Sequence, residues 1–349
     1  MYCPECGREN EEGSKFCSYC GAPLVQEKEE KIPEKKGKGK LIAVGAIAVV
    51  LVVVLALVGL TSFGYETERA NELVDMANTE IERGNDFLVN NVGVKMGEFR
   101  EVNYDVGENE IDNEVSLVSG WKNDALGLKT TVGRVKDHFE KAKGYYEDTK
   151  ELRLPQWYHD YIGLKIQALE KDLERMDKIE VLLNNYVLYY GFAESYLRGQ
   201  DMLGDVEDDL DKGNSYVKNG NYSAAVDSYR DALSKLRDSQ EEFSAAGEII
   251  DLDFMDDLDE YLNGLDSALD SLVQATEFLN LGSFLQANTL LDSANVELAD
   301  LELPESAIDE GLDSWYDVNI EGIIDEIEAL LEDVRELEED AEDLYEENA

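Results

Sequence analysis

Residues 41–60 read LIAVGAIAVVLVVVLALVGL, from Leu41 to Leu60, twenty consecutive positions with no charge and no side chain more polar than glycine. At about 1.5 Å of rise per residue, a helix over this stretch spans roughly 30 Å, the thickness of a bilayer's hydrocarbon core. The stretch predicts a transmembrane helix over 41–63 and divides the chain in two. A buried core helix normally keeps some polar edge. A secretory signal has a short basic lead, a shorter apolar run and a small-x-small cleavage site. Here the lead is forty residues long, and Leu60-Thr61-Ser62-Phe63 offers no such site.

Outward from that stretch, charge sets the expected orientation. Lys31, Lys35, Lys36, Lys38 and Lys40 precede it, and Arg69 is the only basic residue in the fifteen that follow. Positive flanks stay cytoplasmic, which predicts a single-pass cell-membrane protein, integral to the lipid bilayer, with a cytoplasmic N-terminus and an extracytoplasmic C-terminal region. The formal charge of −48 is unevenly divided: residues 1–60 balance eight basic against eight acidic side chains, and residues 61–349 hold 23 basic and 71 acidic. Such a field repels nucleic acid and suits cationic ligands, basic partners or a high-salt surrounding. Regularly spaced Leu, Ile, Val and Tyr in the acidic part argue for a packed core rather than disorder.

On the N-terminal side, Cys3-Pro4-Glu5-Cys6-Gly7 is followed, after ten intervening residues, by Cys17-Ser18-Tyr19-Cys20-Gly21, and these are all the cysteines of the chain. Two C-x-x-C pairs at this separation can place four thiolates tetrahedrally around one Zn²⁺. Each pair ends in glycine, which turns the backbone so that amide N–H groups face the sulfurs. Four soft ligands on two short knuckles favour structural zinc over other metals. A redox C-x-x-C needs a strand–helix setting that this segment is too short to supply, and paired disulfides are disfavoured in a reducing compartment.

The Cys-Pro-x-Cys-Gly knuckle, Phe16-Cys17-x-x-Cys20-Gly21 and the closing Pro23-Leu24 together resemble the short zinc ribbon at the N-terminus of many prokaryotic membrane proteins. The resemblance covers residues 1–26 and implies one structural zinc on Cys3, Cys6, Cys17 and Cys20, no catalytic activity, and an archaeal or Gram-positive source. Glu5, Glu9, Glu11 and Glu12 outnumber Arg8 and Lys15, which points to a protein partner for the ribbon rather than nucleic acid. Residues 27–40, with Pro33, Gly37 and Gly39, read as a charged linker.

Beyond the apolar stretch, residues 64–349 read as one acidic all-α domain interrupted only by Pro155 and Pro304. Spacing predicts a helix from about Glu66 to Asn90, a loop or broken helix over 91–113, and a second helix from about Ile111 to Leu152. Gly120, Gly127, Gly133 and Gly144 in that second helix mark either close helix approach or a kink. Pro155 opens a third helix, about Gln156 to Leu197, with Leu169, Leu173, Met176, Ile179, Leu183, Tyr186 and Tyr190 as a core stripe. Residues 206–239 form a hairpin turning at Gly220-Asn221-Tyr222, and its small and aromatic positions, Gly213, Tyr216, Ala225, Tyr229 and Ala232, resemble a tetratricopeptide repeat. Asp209, Lys212 and Arg237 depart from that pattern. The register recurs 62 residues later at 268–301, through Ala275, Phe278, Gly282, Phe284, Ala287, Leu291 and Ala294. The offset requires further helix between Ser239 and Leu265. A connection over 301–311 leads to a last helix, about Asn319 to Glu347, whose Ile323, Ile327, Leu330, Val334, Leu337, Ala341 and Leu344 form a heptad seam suited to docking on the same bundle. The expected body is an elongated helical bundle or hairpin array, partly tetratricopeptide-like.

No nucleophile motif, phosphate-binding glycine loop or complete calcium loop occurs; in Asp251-Leu252-Asp253-Phe254-Met255-Asp256-Asp257, Met255 takes a ligand position and the turn glycine is missing. His138 and His159, the only histidines, read as surface or helix-end residues. Asn221-Tyr222-Ser223 is a glycosylation sequon. The expectation is a non-enzymatic, membrane-anchored interaction or scaffold protein with a cytosolic zinc ribbon and a helical exterior domain. It would have protein partners on one or both sides, including a protein or envelope component outside, with no nucleic acid and no small-molecule substrate. The alternative is a transmembrane sensor relaying exterior binding to the ribbon's partner.

Overall fold

A 63-residue helix, α4, runs from Gln156 to Lys218, and the rest of the body is laid along it. The computed structural model describes residues 65–348 apart from 105, 300 and 302–306. The zinc ribbon, the charged linker and the 41–63 span lie outside the described residues. The element order is α1 (Thr67–Phe87), a π-turn (Leu88–Gly93), the single turn α2 (Val94–Met96), α3 (Glu108–Lys150), α4, α5 (Tyr222–Ile249), α6 (Asp253–Asn280), α7 (Phe284–Ala299), α8 (Ala307–Tyr316), a second π-turn (Asp317–Glu321) and α9 (Gly322–Asn348).

The expected fold class needs one correction. Among the described residues no helix is long and apolar enough to cross a membrane. Charged side chains recur along the long helices α3 and α4. What stands is an all-helical body behind an N-terminal zinc-ribbon sequence. Smaller corrections follow. The third helix does not stop near Leu197 but continues to Lys218, absorbing the first half of the hairpin. The connection expected at 301–311 contains α8 from Ala307. Gly120, Gly127, Gly133 and Gly144 sit in an unbroken α3, and a Cβ at any of them meets nothing within 4 Å.

Helix α4 packs on α3, α5 and α9; α1 packs on α3, and α5, α6 and α7 follow one another as antiparallel neighbours. The core runs along α4 through Tyr158, Ile162, Met176, Ile179, Leu183 and Tyr190, all at most 1 % exposed. Glycines allow α5 to lie close: a Cβ at Gly213 would stand 2.3 Å from Tyr229 Cε1, and one at Gly199 2.8 Å from Phe243 Cζ. The ring replaces the missing side chain, so these glycines are sites of packing rather than of helix breakage.

The 62-residue repeat is visible in the turns. Gly220 and Gly282 both have φ of +74°. At the first turn Asn221 N–H donates to Tyr216 C=O (2.9 Å) and Gly220 N–H to Val217 C=O (2.9 Å). At the second, Ser283 N–H donates to Phe278 C=O (2.8 Å) and Gly282 N–H to Leu279 C=O (3.0 Å). These are paired Schellman caps, whose left-handed position glycine fills without strain. Ala225, Ala232, Ala275, Ala287 and Ala294, the small positions of both hairpins, are buried.

Candidate functional site

Helix α9 shows how the fold spends its few cations. It lies antiparallel to α4, burying Ile327, Leu330, Val334 and Ala341 of the expected seam, with Leu331 beside them. Three lysines of α4 face it: Lys165 pairs with Glu338, Lys171 with Asp333 (3.3 Å) and Lys178 with Glu326 (2.5 Å). Elsewhere Lys136 pairs with Asp177, Lys143 with Glu170, Lys122 with Glu194, and Arg237 with Asp266. These basic side chains are committed to internal pairs, while acidic side chains outnumber basic ones by 71 to 23 over residues 61–349.

Titratable groups in the interior serve structure. His138 is a buried-side partner rather than a surface residue: its Nδ1 lies 2.6 Å from Glu80 Oε2, and its ring stacks on Phe87 at 5.8 Å. The bond from His138, helped by Arg83, holds the Glu80 carboxyl below its usual value despite burial. His159 sits in the first turn of α4, its N–H donating to Pro155 C=O (3.2 Å). The tyrosines are neutral packing elements; burial pushes Tyr186, Tyr189 and Tyr190 well up, and Tyr316 to about 12. Among the described residues no group of three or more His, Cys, Asp or Glu is placed to hold a metal ion, and the Asp251–Asp257 run is instead the opening of α6.

A concave feature of the body lies between α5 and α6, next to their short link Ile250–Leu252. It is a cleft of about 280 Å³ floored by Phe243, Gly247, Leu258 and Leu262, with Met255 at one side and carboxylates on the rim. Sequence reading passed over it, because only the antiparallel pairing of α5 with α6 brings Phe243 opposite Leu258. One signal was available: from Asp238 to Ala349 the only basic residue is Arg335.

Cys3, Cys6, Cys17 and Cys20 lie outside the described residues, and their fit to zinc rests on the donor set. Four thiolates in two C-x-x-C pairs suit a closed, tetrahedral Zn²⁺ site. Residues 2–24 match the model of the zinc-ribbon domain, which supports zinc binding by this segment. No curated protein and no solved structure matches the chain.

Proposed function

We propose that the protein is a non-enzymatic interaction or scaffold protein whose acidic helical body binds a basic protein partner, while the zinc ribbon serves as a separate docking module. The observation that carries this reading is the use of charge. Residues 61–349 hold 71 acidic and 23 basic side chains, and the lysines and arginines named above are drawn into pairs within the fold. The uncompensated carboxylates face outward on a rigid scaffold, which steers and selects cationic partners. The hairpins turning at Gly220 and Gly282 supply a tetratricopeptide-like framework for such a surface. At the other end, Cys3, Cys6, Cys17 and Cys20 would hold one zinc ion. Its role is to fold a segment too short to build a core, and with all four ligands from protein it leaves no open position for a substrate.

Metal analysis joined to partner binding tests the proposal on the full chain. The expected result is one zinc per chain, lost in Cys17→Ser, and a co-purifying basic protein whose affinity falls as salt rises. A reproducible catalytic turnover by the full chain, or a partner that is itself acidic, would contradict it.

A further inference from the structure

We infer that the outward face of α7 is a docking site for a basic amphipathic helix of a partner protein, added to the α5–α6–α7 stack as its next member. The inference rests on the reading of a protein that binds basic partners and deepens it, because it names the surface and the form of the occupant. The 62-residue register shows where a next helix belongs. In the first hairpin, Arg230, Arg237 and Gln240 of α5 face α6, where they meet Glu277, Asp266 and Asn263. Carried forward by the offset that joins Gly220 to Gly282, Arg230 and Arg237 fall on Asp292 and Ala299 of α7, both exposed. Helix α7 packs on α6 with Ala287 and Ala294 buried, and leaves Leu285 83 % and Val296 66 % exposed. Leu285, Asp292, Val296 and Ala299 follow one another at seven, four and three residues, which sets them on one side of the helix, opposite the two alanines. The side of α7 that corresponds to the covered side of α5 is therefore open, and its exposed side chains include large apolar ones.

Charge decides the occupant. At the α5–α6 contact the cations belong to α5 and the carboxylates to α6. Helix α7 has no basic residue, and Asp292 stands where α5 has Arg230, so a helix laid over α7 has to bring the cation itself. A second copy of this chain does not bring one: a two-fold contact sets one α7 against the other, with Asp292 on both sides and no cation on either. Arg335, the one basic residue after Arg237, pairs with Glu332 on its own helix. A basic amphipathic helix meets both demands. Its apolar stripe covers Leu285 and Val296, and a lysine or arginine in the middle of that stripe reaches Asp292. The contact would repeat that of α5 with α6, with the charges exchanged, and would cover apolar residues at a position where stacked helical arrays ordinarily end in a polar face.

Fluorescence anisotropy of a labelled helical probe, titrated with the full chain at fixed ionic strength, tests the site. The probe is a stapled peptide of 16 residues, the length of α7, with a leucine stripe, one lysine in the middle of it and neutral side chains elsewhere; its twin has glutamate in place of the lysine. Leu285→Ser/Val296→Ser removes the apolar contacts, and Asp292→Lys reverses the charge between them. Leu117→Ser/Leu126→Ser, at exposed positions of α3, is the control. The wild type is expected to bind the lysine probe, with a loss of affinity of about tenfold or more in Leu285→Ser/Val296→Ser and no change in the control. Asp292→Lys is expected to invert the preference and bind the glutamate probe more tightly than the lysine probe, a result that a misfolded variant could not give. Equal affinity for the wild type and every variant, or no binding of the lysine probe to the wild type, would overturn the α7 site. A wild-type dimer in sedimentation that Leu285→Ser/Val296→Ser dissociates would assign the face to a second copy and overturn it as well. A salt-sensitive basic protein that still co-purifies with Leu285→Ser/Val296→Ser as it does with the wild type would leave the broader reading standing and this one lost.

Discussion

The phenol of Tyr190, on α4, bonds the peptide unit of Arg100 twice: its oxygen accepts from the Arg100 N–H at 3.1 Å, and its O–H donates to the Arg100 C=O at 3.0 Å. Next to it, Tyr189 Oη accepts from Val102 N–H at 3.1 Å, so two adjacent α4 residues fix the non-helical segment between α2 and α3. That segment has no ladder of its own, and these side chains satisfy the N–H and C=O of Arg100 and the N–H of Val102.

Tyr190→Phe therefore destabilises the fold by about 1–3 kcal/mol, because it leaves two peptide groups without partners beside a closed core. Tyr161→Phe is the contrast. The Tyr161 hydroxyl is buried with no hydrogen-bond partner among the described residues, so its removal is neutral or mildly stabilising, by up to about 1 kcal/mol. Urea unfolding of the two variants checks the difference.

Glycines of equal appearance in the sequence separate in the structure. Gly213→Ala drives a Cβ into the Tyr229 ring and costs about 1–3 kcal/mol despite the better helix propensity of alanine. Gly127→Ala, with nothing within 4 Å, gains up to about 1 kcal/mol. Thermal melts of both variants should move in opposite directions.

The same contrast marks what could be read in advance. The α4 stripe, the heptad seam of α9 and the 62-residue repeat were legible because each is a periodicity within one segment, and burial of Met176, Ile327 and Ala287 follows it. The continuation of α4 through Gly199 to Lys218 was not, because the compensation comes from Phe243 and Tyr229 on another helix. The loop or broken helix expected over 91–113 agrees with the broken and non-helical stretch before α3, but the tyrosines that hold it were not legible, because Tyr189 and Tyr190 are distant in sequence. The cysteine pairs carry their chemistry in their spacing alone, and the match of residues 2–24 to the zinc-ribbon domain agrees with that reading.

Acid should weaken the Glu80–His138 contact in a defined direction. His138 and Arg83 hold the Glu80 carboxyl below its ordinary value of 4.5. A depressed folded-state value means that the carboxylate contributes stability above the unfolded value and loses it as pH falls through the folded one. Glu80→Gln is expected to cost about 1 kcal/mol near neutral pH and to converge with the wild type as pH falls through the folded-state value. Denaturation at stepped pH measures the convergence; a constant gap across the range would contradict the assignment.

The α4–α9 lysines differ in burial, and their substitutions should differ accordingly. Lys165 is 5 % exposed and faces Glu338, so Lys165→Ala strands a half-buried carboxylate and costs about 2–4 kcal/mol. Lys178, more open to solvent, pairs with an exposed Glu326, and Lys178→Ala changes stability far less than Lys165→Ala. The smaller effect should also fade in high salt.

Zero-length carbodiimide cross-linking of the full chain with its native partners tests the central claim most directly, because it joins carboxylates only to amines that touch them. No lysine follows Lys235 in the chain, so linked carboxylates beyond that point report either a fold-back to an earlier lysine or a second molecule. The account predicts links from carboxylates of the helical body to lysines of a basic partner, lost in high salt. Links confined to pairs within the chain, such as Lys165 with Glu338, with none to any other protein, would contradict it.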